Sequence, residues 1–321
     1  MVAQHGDVLV VGAGVMGLTT AVCLAEAGVP VRVQAGESPQ DTTSAVAGAM
    51  IAGPVTDDPQ DDESRWLRAT LREFTDLAAD PRTGVRIARG RTVSRDEDTT
   101  PGWARQMPDF AECDEAERAG YPMAFWMSSP VVDMPRYLQY LAGRLEIAGG
   151  VVRLGTVESL EAAAATAPLV VNCTGVGAQR LTGDPQLKPV RGQHVVVENP
   201  GLTEFFYERT KAAEITSFIP HLKRLVLGGT IGPGNWSLEP DPAQTEAILS
   251  RCIAIEPRIA GAPVLSVEVG LRPARPQARL EEETIGDARV IHNYGHGGAG
   301  IGMSWGCARE IEQMVTQAVH R

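Results

Sequence analysis

Two arginines held between prolines have the residue type and spacing needed to bind an anion. Arg272 and Arg275 lie in Gly270–Pro276 (GLRPARP), where the prolines remove backbone donors and restrict the conformation of the chain. A guanidinium fixed in this way offers a planar pair of donors that matches the two oxygens of a carboxylate. The segment therefore predicts a carboxylate site, with surface exposure or structural ion pairs as the alternative for both arginines.

A glycine cluster near the C-terminus indicates that something approaches the backbone closely. Val290–Ala308 (VIHNYGHGGAGIGMSWGCA) contains six glycines, and glycine is the residue that permits such an approach. The segment leads into a helix predicted at Trp305–Ala318, so Gly300–Ser304 would present a helix N-terminus to a ligand. The alternative is a glycine-rich turn between two domains.

Metal-dependent and hydrolytic chemistry is not indicated. His292 and His296 are four residues apart, which suits metal ligands on a helix, but glycines interrupt this segment. No carboxylate or cysteine joins the two histidines at a standard ligand spacing. The sequence has no GxSxG or HExxH signature and no Cys–His pair, and we expect no metal site.

A second glycine turn, near the N-terminus, has the sequence context of a dinucleotide site. Gly12–Gly17 (GAGVMG) follows the predicted buried strand Asp7–Val11 and precedes a helix that ends at Gly28, and the next strand starts at Val31. In such a unit the glycines allow the tight turn, the approach of a pyrophosphate and close helix packing. The helix N-terminus adds amide donors and a partial positive charge.

The two glycine clusters together favour FAD over NAD. The N-terminal turn alone does not distinguish between these two cofactors. A nicotinamide dinucleotide needs one phosphate-binding turn, whereas a flavin also has a ring whose N1–C2=O edge gains negative charge on reduction. Backbone amides or a helix dipole near that edge favour the reduced ring. The acid that usually follows the second strand to bind a ribose is displaced here, and Glu37 is the nearest candidate.

The remaining elements predict an α/β chain with two interleaved parts. Four elements are clear: helices at Ser64–Asp76 and from Pro135, and buried strands at Val151–Leu154 and Leu169–Asn172. Residues 193–231 are typical of antiparallel strands, while residues 79–122 give no clear pattern. The chain would leave its first domain, return near residue 135, leave near 190 and return near 277. This path would bring the two glycine clusters together.

Composition and charge exclude several classes of protein. The chain has 321 residues, of which 43% are apolar and 21% charged, as in ordinary globular proteins. Its net charge of −11 argues against a nucleic-acid partner. We expect no signal peptide and no membrane span. Five cysteines without a CxxC spacing indicate reduced thiols and a cytoplasmic location.

Taken together, these segments resemble the D-amino-acid oxidase family, which is FAD-dependent. The segment VIHNYGHGGAGIGMSWGCA is similar to the signature of that family near its C-terminus. Other blocks are similar in the same order along the chain: VVGAGVMGL, TTSAVAGAM, VNCTG, RGQ, LGGTIGPGNW and GLRPARPQARLE. The resemblance covers essentially the whole sequence.

The resemblance implies an α/β fold of two domains (α+β overall). A Rossmann-like FAD-binding domain of residues 1–54, 134–187 and 277–321 would be interleaved with an antiparallel-sheet substrate-binding domain of residues 55–133 and 188–276. The residues implied in FAD binding lie in six places along the chain: Gly12, Ala13, Gly14, Val15, Met16 and Gly17; Glu37; Thr42, Thr43, Ser44, Gly48, Ala49 and Met50; Val157; Thr174; and Gly297, Gly298, Ala299, Gly300, Ile301 and Gly302.

Three catalytic positions are implied by the same resemblance. Arg272 would bind the carboxylate of the substrate, and the carbonyl of Gly298 would accept a hydrogen bond from its amine. Ser217 stands where the family usually has a tyrosine whose hydroxyl helps to bind the carboxylate. A serine hydroxyl can donate the same bond but is shorter, and Tyr207 is a candidate replacement.

The implied reaction is oxidative deamination of a D-amino acid. Hydride transfer from Cα to flavin N5 would give an imino acid, which water hydrolyses to a 2-oxo acid and ammonia, and reoxidation of the flavin by O2 would give hydrogen peroxide, all without a side-chain base. Ile231 stands where a D-aspartate oxidase would have arginine, so we expect neutral, apolar or basic substrates. Glycine or sarcosine oxidase, D-aspartate oxidase, an NAD-dependent dehydrogenase and a non-catalytic flavoprotein are the alternatives. A homodimer remains open.

Overall fold

The structure, a computed structural model, describes residues 7–51, 53, 58 and 60–317. The β-strands of these residues are β1 (Val8–Val11), β2 (Val31–Ala35), β3 (Val85–Ser94), β4 (Ala111–Glu112), β5 (Met123–Val132), β6 (Val151–Leu154), β7 (Leu169–Asn172), β8 (Lys188–Glu198), β9 (Phe205–Arg209), β10 (Ser217–Pro220), β11 (Arg224–Gly228), β12 (Gly232–Pro233), β13 (Val264–Ile285) and β14 (Ala288–His296).

The α-helices of the same residues are α1 (Val15–Glu26), α2 (Asp62–Leu77), α3 (Glu115–Arg118), α4 (Met134–Ile147), α5 (Leu160–Ala164), α6 (Ala178–Thr182), α7 (Pro242–Ile255) and α8 (Gly300–Gln317). Short 3-10 helices lie at Pro39–Asp41, Pro81–Thr83, Gly102–Gln106, Gly175–Gly177 and Pro257–Ile259. Within the described part of the chain, no helix combines the length and apolar character needed to cross a bilayer.

All fourteen strands of the described residues belong to one mixed sheet. Its order is β4-β5-β3-β9-β10-β11-β8-β13-β14-β7-β1-β2-β6, with β12 paired to β8 at one side. The five strands from β14 to β6 are parallel to one another. From β5 to β14 neighbouring strands are antiparallel, apart from the parallel pair β3 and β9. The α/β class expected from the sequence is confirmed.

The central strands of the parallel part, β1 and β7, are buried on both faces, because alternate residues of these strands enter different cores. In β1, Val8 and Val10 pack with the apolar faces of α1, α4 and α8. Leu9 and Val11 point to the opposite face and pack with α5. These strands are therefore fixed from both sides, and so are the positions of the loops at their carboxyl ends.

Strand β13 joins the two parts of the sheet. Residues 264–274 pair with β8 in the antiparallel part, and residues 279–285 pair with β14 beside the parallel part. Between Ala274 and Arg279 the register shifts, so the proline-rich segment lies where the strand passes from one part to the other. Arg272 is consequently positioned at this junction.

Helices α2 and α8 approach closely beside the same junction. A Cβ added at Gly306 would overlap the backbone of Trp66, so only glycine allows this approach. The indole nitrogen of Trp66 donates to Glu310, 2.7 Å away, and Thr70 accepts from the Gly306 amide at 3.1 Å. Close packing of α2 fixes the rotation and position of α8.

Candidate active site

A cavity of about 980 Å³ opens at the carboxyl ends of the five parallel strands and extends along the antiparallel part. Each parallel strand contributes a residue that immediately or nearly follows it: Gly12 after β1, Glu37 after β2, Val157 after β6, Thr174 after β7 and Gly297 after β14. Ligands of doubly wound sheets bind at this edge. The volume lies at the upper end of the range of ligand sites.

The N-terminal glycine turn lines the cavity in an unusual backbone conformation. Gly12 has a φ of +108°, and a Cβ there would meet the Cys173 carbonyl oxygen at 2.5 Å. Gly14 is the N-cap of α1, and the Val15 amide donates to Ser44 Oγ at 3.0 Å. Gly17, which was expected to bind the cofactor, does not line the cavity. It serves the packing of the turn under α1 instead, because a Cβ at this position would overlap the Gly12 carbonyl.

The segment from Thr42 to Met50 forms a second wall of the cavity. All six residues implied there line it: Thr42, Thr43, Ser44, Gly48, Ala49 and Met50. The segment is anchored to β5, since the Ala49 carbonyl accepts from the Val132 amide at 2.9 Å. Met50 also forms an isolated bridge with Val131.

The C-terminal glycine turn forms the opposite wall and starts a helix earlier than predicted. Helix α8 begins at Gly300 rather than at Trp305, and the predicted end at Ala318 lies outside the described residues. Glycine in a first turn is tolerated here because tertiary packing holds the helix, as with the close approach of Gly302 to Leu67. Residues Gly297 to Gly302 all line the cavity.

Two helix N-termini, those of α1 and α8, therefore border one cavity. Neither helix has an acidic residue in its first turn, so the partial positive charge at each end is not neutralised locally. This arrangement suits a ligand with anionic character at two separated points, as the pyrophosphate and the ring edge of FAD have. The two N-termini, the glycine turn and the cavity volume fit FAD.

Arg272 reaches the cavity wall without an acidic partner. Within the described residues no carboxylate lies within 4.0 Å of its guanidinium, and Nη1 donates to the carbonyls of Thr230 (3.1 Å) and Arg191 (3.4 Å). The guanidinium lies against Gly192, where an added Cβ would overlap it. Burial lowers the pKa of Arg272, but arginine remains protonated at physiological pH. The site thus holds an uncompensated positive charge.

Arg275 also lines the cavity, but its charge is neutralised. Its Nε donates to Asp184 at 2.9 Å, and Tyr294 donates to the same carboxylate oxygen at 2.9 Å. Burial raises the pKa of Asp184, but hydrogen bonds from Gln186, Tyr294 and Arg275 outweigh it and lower the pKa. Of the alternatives left open for the two arginines, a structural ion pair describes Arg275.

Ser217 lies in the cavity wall with its hydroxyl engaged. Ser217 Oγ donates to the Gly228 carbonyl, and the Ser217 carbonyl accepts from Cys252 Sγ at 3.4 Å. Its partner across the strands β9 and β10 is Tyr207, which also lines the cavity. Gly298 lies beside Arg272, whose Cδ would be 3.5 Å from a Cβ added at that glycine.

Two histidines, the half-buried His194 and the buried His296, border the cavity in the neutral form. Burial and the positive charge of Arg272 lower the pKa of His194 to about 4, and its Nδ1 lies 3.3 Å from the Val46 carbonyl oxygen. Burial lowers the pKa of His296 to about 4 as well. Among the described residues, no group of three or more His, Cys, Asp or Glu side chains is arranged to hold a metal ion.

Sequence reasoning did not single out Gly192 or His194 as cavity residues. Gly192 stands in the RGQ block, and only the three-dimensional structure brings the guanidinium of Arg272, 80 positions later in the chain, onto its backbone. His194 follows in an apolar strand and has no sequence signal of its own. Both residues come from β8, the strand that pairs with the arginine segment of β13.

Comparisons with known proteins agree with this architecture. The family described as FAD dependent oxidoreductase matches residues 7–314. A D-amino-acid oxidase of Rubrobacter xylanophilus is 46% identical, over 97% of this chain and 96% of the relative. One of Streptomyces coelicolor is 46% identical, over 98% of each. A crystal structure of glycine oxidase from Geobacillus kaustophilus has a TM-score of 0.82 at 19% identity, covering 98% and 95% of the two chains.

Proposed function

The chain belongs to the FAD-dependent oxidoreductase family, and on this premise we propose that it oxidises D-amino acids to 2-oxo acids with O2 as electron acceptor. Both relatives at 46% identity, which extend over nearly the whole chain, are D-amino-acid oxidases. The likeness to glycine oxidase, at 19% identity, supports the fold alone. Ammonia and hydrogen peroxide are the other products of the proposed reaction.

The unpaired charge of Arg272 is the observation that carries this proposal. A half-buried cation without a counter-ion is partly desolvated at a cost, and a carboxylate ligand would offset much of that cost. Nη1 is already bound to two backbone carbonyls, so Nε and Nη2 remain to donate to the two oxygens of a carboxylate. Every amino acid carries such a carboxylate.

The residues of the chain act in the reaction mainly by binding and orientation. Arg272 would hold the carboxylate and the Gly298 carbonyl would accept a hydrogen bond from the amine, and their proximity lets one α-carbon satisfy both. FAD, when bound, supplies the acceptor for the two electrons and hydrogen of the Cα–H bond and passes the electrons to O2. Because the pKa values of His194 and His296 are lowered to about 4, both would be weak bases, so positioning rather than proton abstraction by these side chains would control the rate.

FAD would be held along the edge of the parallel strands. The amides at the start of α1 would bind the pyrophosphate, with the Ser44 hydroxyl bracing the Val15 amide. Glu37 would bind the ribose of the adenosine half, and Val157 would lie beside the adenine. Gly297 to Gly302 would surround the flavin ring. The N-terminus of α8 would favour the negative charge that the N1–C2=O edge of the ring gains on reduction.

The preferred substrates are proposed to have a neutral, apolar or basic side chain. Three arginines line the cavity, and Arg180 and Arg275 are paired with Glu158 and Asp184 respectively. Arg272 is therefore the one cavity arginine, among the described residues, that has no carboxylate partner. A dicarboxylic substrate needs a second cation, and Ile231 stands in the wall where it could be placed.

Three coarser expectations complete the proposal. The proposed division into an FAD-binding part and a substrate-binding part is supported by the change from parallel to antiparallel strands, and its boundary at residues 54 and 55 lies outside the described residues. The five cysteines are free and buried, which supports the proposed cytoplasmic location. The third expectation is that two copies of the chain form a homodimer.

One anaerobic titration tests the function. Purified holoprotein is mixed with D-methionine, D-valine, D-aspartate or glycine, and the flavin absorbance near about 450 nm is followed before O2 is admitted. We expect bleaching by D-methionine and D-valine, and hydrogen peroxide after O2 is admitted. Faster bleaching by glycine than by any D-amino acid, or by D-aspartate than by D-methionine, would contradict the proposal, and so would a colourless protein.

A further inference from the structure

We infer that His292 and Glu283, which lie outside the cavity, act as positioning residues for FAD. Through Asn172 they orient the Thr174 hydroxyl so that its oxygen accepts a hydrogen bond from a hydroxyl of the cofactor. Of these four residues only Thr174 lines the cavity. The inference rests on the proposed position of FAD at the carboxyl ends of the parallel strands.

The four side chains form a continuous row of hydrogen bonds from the cavity to the surface. Thr174 Oγ1 donates to Asn172 Oδ1 at 2.7 Å, and Asn172 Nδ2 lies 3.3 Å from His292 Nδ1. At the other end, His292 Nε2 lies 2.8 Å from Glu283 Oε1. Asn172 and His292 are fully buried, whereas the Glu283 side chain is 44% exposed. The row therefore links the cavity to the surface through the core.

Strand pairing fixes three of the four side chains. Asn172 ends β7 and is the direct partner of His292 on β14. Glu283 on β13 pairs with Val290, two residues before His292, so the side chains of Glu283 and His292 lie on the same face of the sheet. Asn172, His292 and Glu283 are thus held by three neighbouring strands rather than by loops.

A backbone amide determines the direction of the hydrogen bonds in the row. The Thr174 amide can only donate, and it donates to Asn172 Oδ1 at 3.3 Å. The oxygen of the Asn172 side chain must therefore face Thr174, and its nitrogen must face His292. His292 Nδ1 is consequently an acceptor, and the proton of the neutral imidazole is on Nε2, from which it is donated to Glu283.

This direction leaves the Thr174 hydroxyl as an acceptor for a ligand. Its one hydrogen is donated to Asn172, so only a lone pair of Oγ1 remains for a group in the cavity. A phosphate oxygen of FAD has no hydrogen to donate, whereas the hydroxyls of its ribose and ribityl chain do. Without the row, the Thr174 hydroxyl could rotate and present its hydrogen to the same cofactor group.

The row also makes cofactor binding dependent on the protonation of His292. A protonated imidazole carries a hydrogen on Nδ1, which would oppose the hydrogens of Asn172 Nδ2. Rotating the Asn172 amide by half a turn does not help, because Nδ2 would then oppose the Thr174 amide hydrogen. Protonation of His292 is therefore incompatible with the orientation of the Thr174 hydroxyl.

The surroundings of His292 set the pH at which this loss occurs. Among the described residues, the charged and titratable groups that face the imidazole are Glu281, Glu283 and Arg279 of β13 and Tyr294 of β14. Burial lowers the pKa of His292; the hydrogen bond with Glu283 and the charge of Glu281 raise it by less, and Arg279 lowers it further. The affinity for FAD should be full above the ordinary pKa of about 6.5 and should fall as the pH drops through the lower folded value.

The test measures the dissociation constant of FAD from the protein at about pH 8 and about pH 5, on either side of the ordinary histidine pKa. His292→Leu removes the acceptor of a buried amide, and the dissociation constant at the higher pH should rise by about 5- to 100-fold. His292→Asn should stay within about threefold of the unchanged protein, because its side-chain oxygen can take the place of Nδ1. It should also bind with less pH dependence, since this side chain does not titrate.

Glu283→Leu tests the outer end of the row, and Glu282→Leu is its matched control. Glu282 is the next residue of β13, and it is paired with Arg289 at 2.7 Å instead of with His292. Glu283→Leu should raise the dissociation constant of FAD by about three- to tenfold, the effect of one lost hydrogen bond. Glu283→Gln should restore the affinity because its oxygen can still accept from Nε2, and Glu282→Leu should change it by less than about twofold.

Thr174→Val separates this inference from the proposed position of FAD. If Thr174→Val binds FAD as tightly as the unchanged protein, the cofactor does not contact Thr174 and the inference falls with that position. If Thr174→Val weakens binding but His292→Leu does not, or if His292→Asn keeps the full pH dependence, the inference alone is overturned. The losses of Thr174→Val and His292→Leu should not add in the double variant, because both remove the same hydrogen bond.

Melting temperatures of the variants without FAD report whether each of them is folded. Glu283 is partly exposed, so Glu283→Leu leaves the core intact and decides the question if His292→Leu does not fold. Equal affinities in Glu283→Leu and Glu282→Leu would then overturn the inference. None of these measurements depends on which substrate is oxidised.

Discussion

Arg272 and Arg275 lie three residues apart in one strand, and each precedes a proline, yet the structure treats them differently. Arg275 is neutralised by Asp184, a residue 91 positions away in the chain. Arg272 has backbone carbonyls and a glycine around its guanidinium instead of a carboxylate. The difference shows that residue type and local rigidity do not identify a ligand-binding arginine. The absence of a counter-ion among the described residues is what distinguishes Arg272, for which we propose the carboxylate-binding role.

The largest expected effect comes from removing the unpaired charge. Arg272→Ala should lower kcat/KM for D-methionine by about 100- to several-thousand-fold, since breaking a buried charge pair costs about 3–5 kcal/mol. The melting temperature should stay the same or rise, because the variant loses a half-buried charge that no carboxylate among the described residues offsets in the free protein. Steady-state kinetics and thermal unfolding measure the two effects. If the variant still produced hydrogen peroxide at the original rate, Arg272 would not differ from Arg275 in its role.

Displacing the same guanidinium without changing its charge should have the next largest effect. Gly192→Ala places a methyl group where the Arg272 guanidinium lies, and we expect a loss of about 10- to 100-fold in kcat/KM, consistent with an overpacking cost of about 1–3 kcal/mol. Gly232→Ala is the matched control, since its Cβ would meet its nearest neighbour at 3.4 Å. Equal kinetics in both variants would show that the position of Arg272 is not critical.

Removing the paired arginine should affect stability more than turnover. Arg275→Ala leaves Asp184 with a lost hydrogen bond, and we expect the free energy of unfolding to fall by about 2 kcal/mol and kcat/KM by less than about tenfold. Because Asp184 has a lowered pKa when folded, its contribution is present above its usual pKa of about 4 and is lost as the pH falls through its folded value. Denaturant unfolding at pH 7 and pH 3 measures the loss of stability and its pH dependence, and steady-state kinetics measure kcat/KM. A loss of turnover as large as that of Arg272→Ala would contradict the structural role of Arg275.

The smallest effect is electrostatic and is felt by His194. The charge of Arg272 adds to burial in lowering the pKa of His194 to about 4, so Arg272→Met should raise that pKa and Arg275→Met should not. The folded pKa lies below the ordinary value of about 6.5, so stability from the neutral imidazole is complete above that pH and is lost as the pH falls toward 4. NMR titrations of the His194 imidazole in the two variants measure this pKa. Equal changes of the His194 pKa in both variants would contradict a specific influence of the Arg272 charge.

Much of the parallel part could be predicted because its signals are local. Strands β6 and β7 begin and end at the predicted residues, and the first glycine turn lies between a strand and a helix as expected. Strand β3 was missed, because its arginines conceal the alternation of buried residues. In the structure the guanidinium of Arg89 lies 4.1 Å from the centre of the Trp126 ring, so charged side chains cover the sheet there.

The cavity lining was predicted more fully than its hydrogen bonds. Every implied cofactor and substrate residue except Gly17 borders the cavity, although the roles of these residues remain predictions. The bond from Ser217 to the Gly228 carbonyl and the pairing of Arg275 with Asp184 could not be read from the sequence. The first depends on the register of the neighbouring strands β10 and β11, and the second on the placement of two segments 91 positions apart, and local propensity fixes neither.

The continuous pairing of β13 has a consequence for how the protein loses its structure. Residues 264–274 and 279–285 are hydrogen-bonded to different neighbours, and the Gly297 amide donates to the Pro273 carbonyl at 2.8 Å across the bend. Opening either half of the sheet therefore strains the other half through an unbroken backbone, so the two halves behave as a single cooperative unit. Partial denaturation would then abolish anion affinity and cofactor retention together, leaving no half-folded species that keeps one of them.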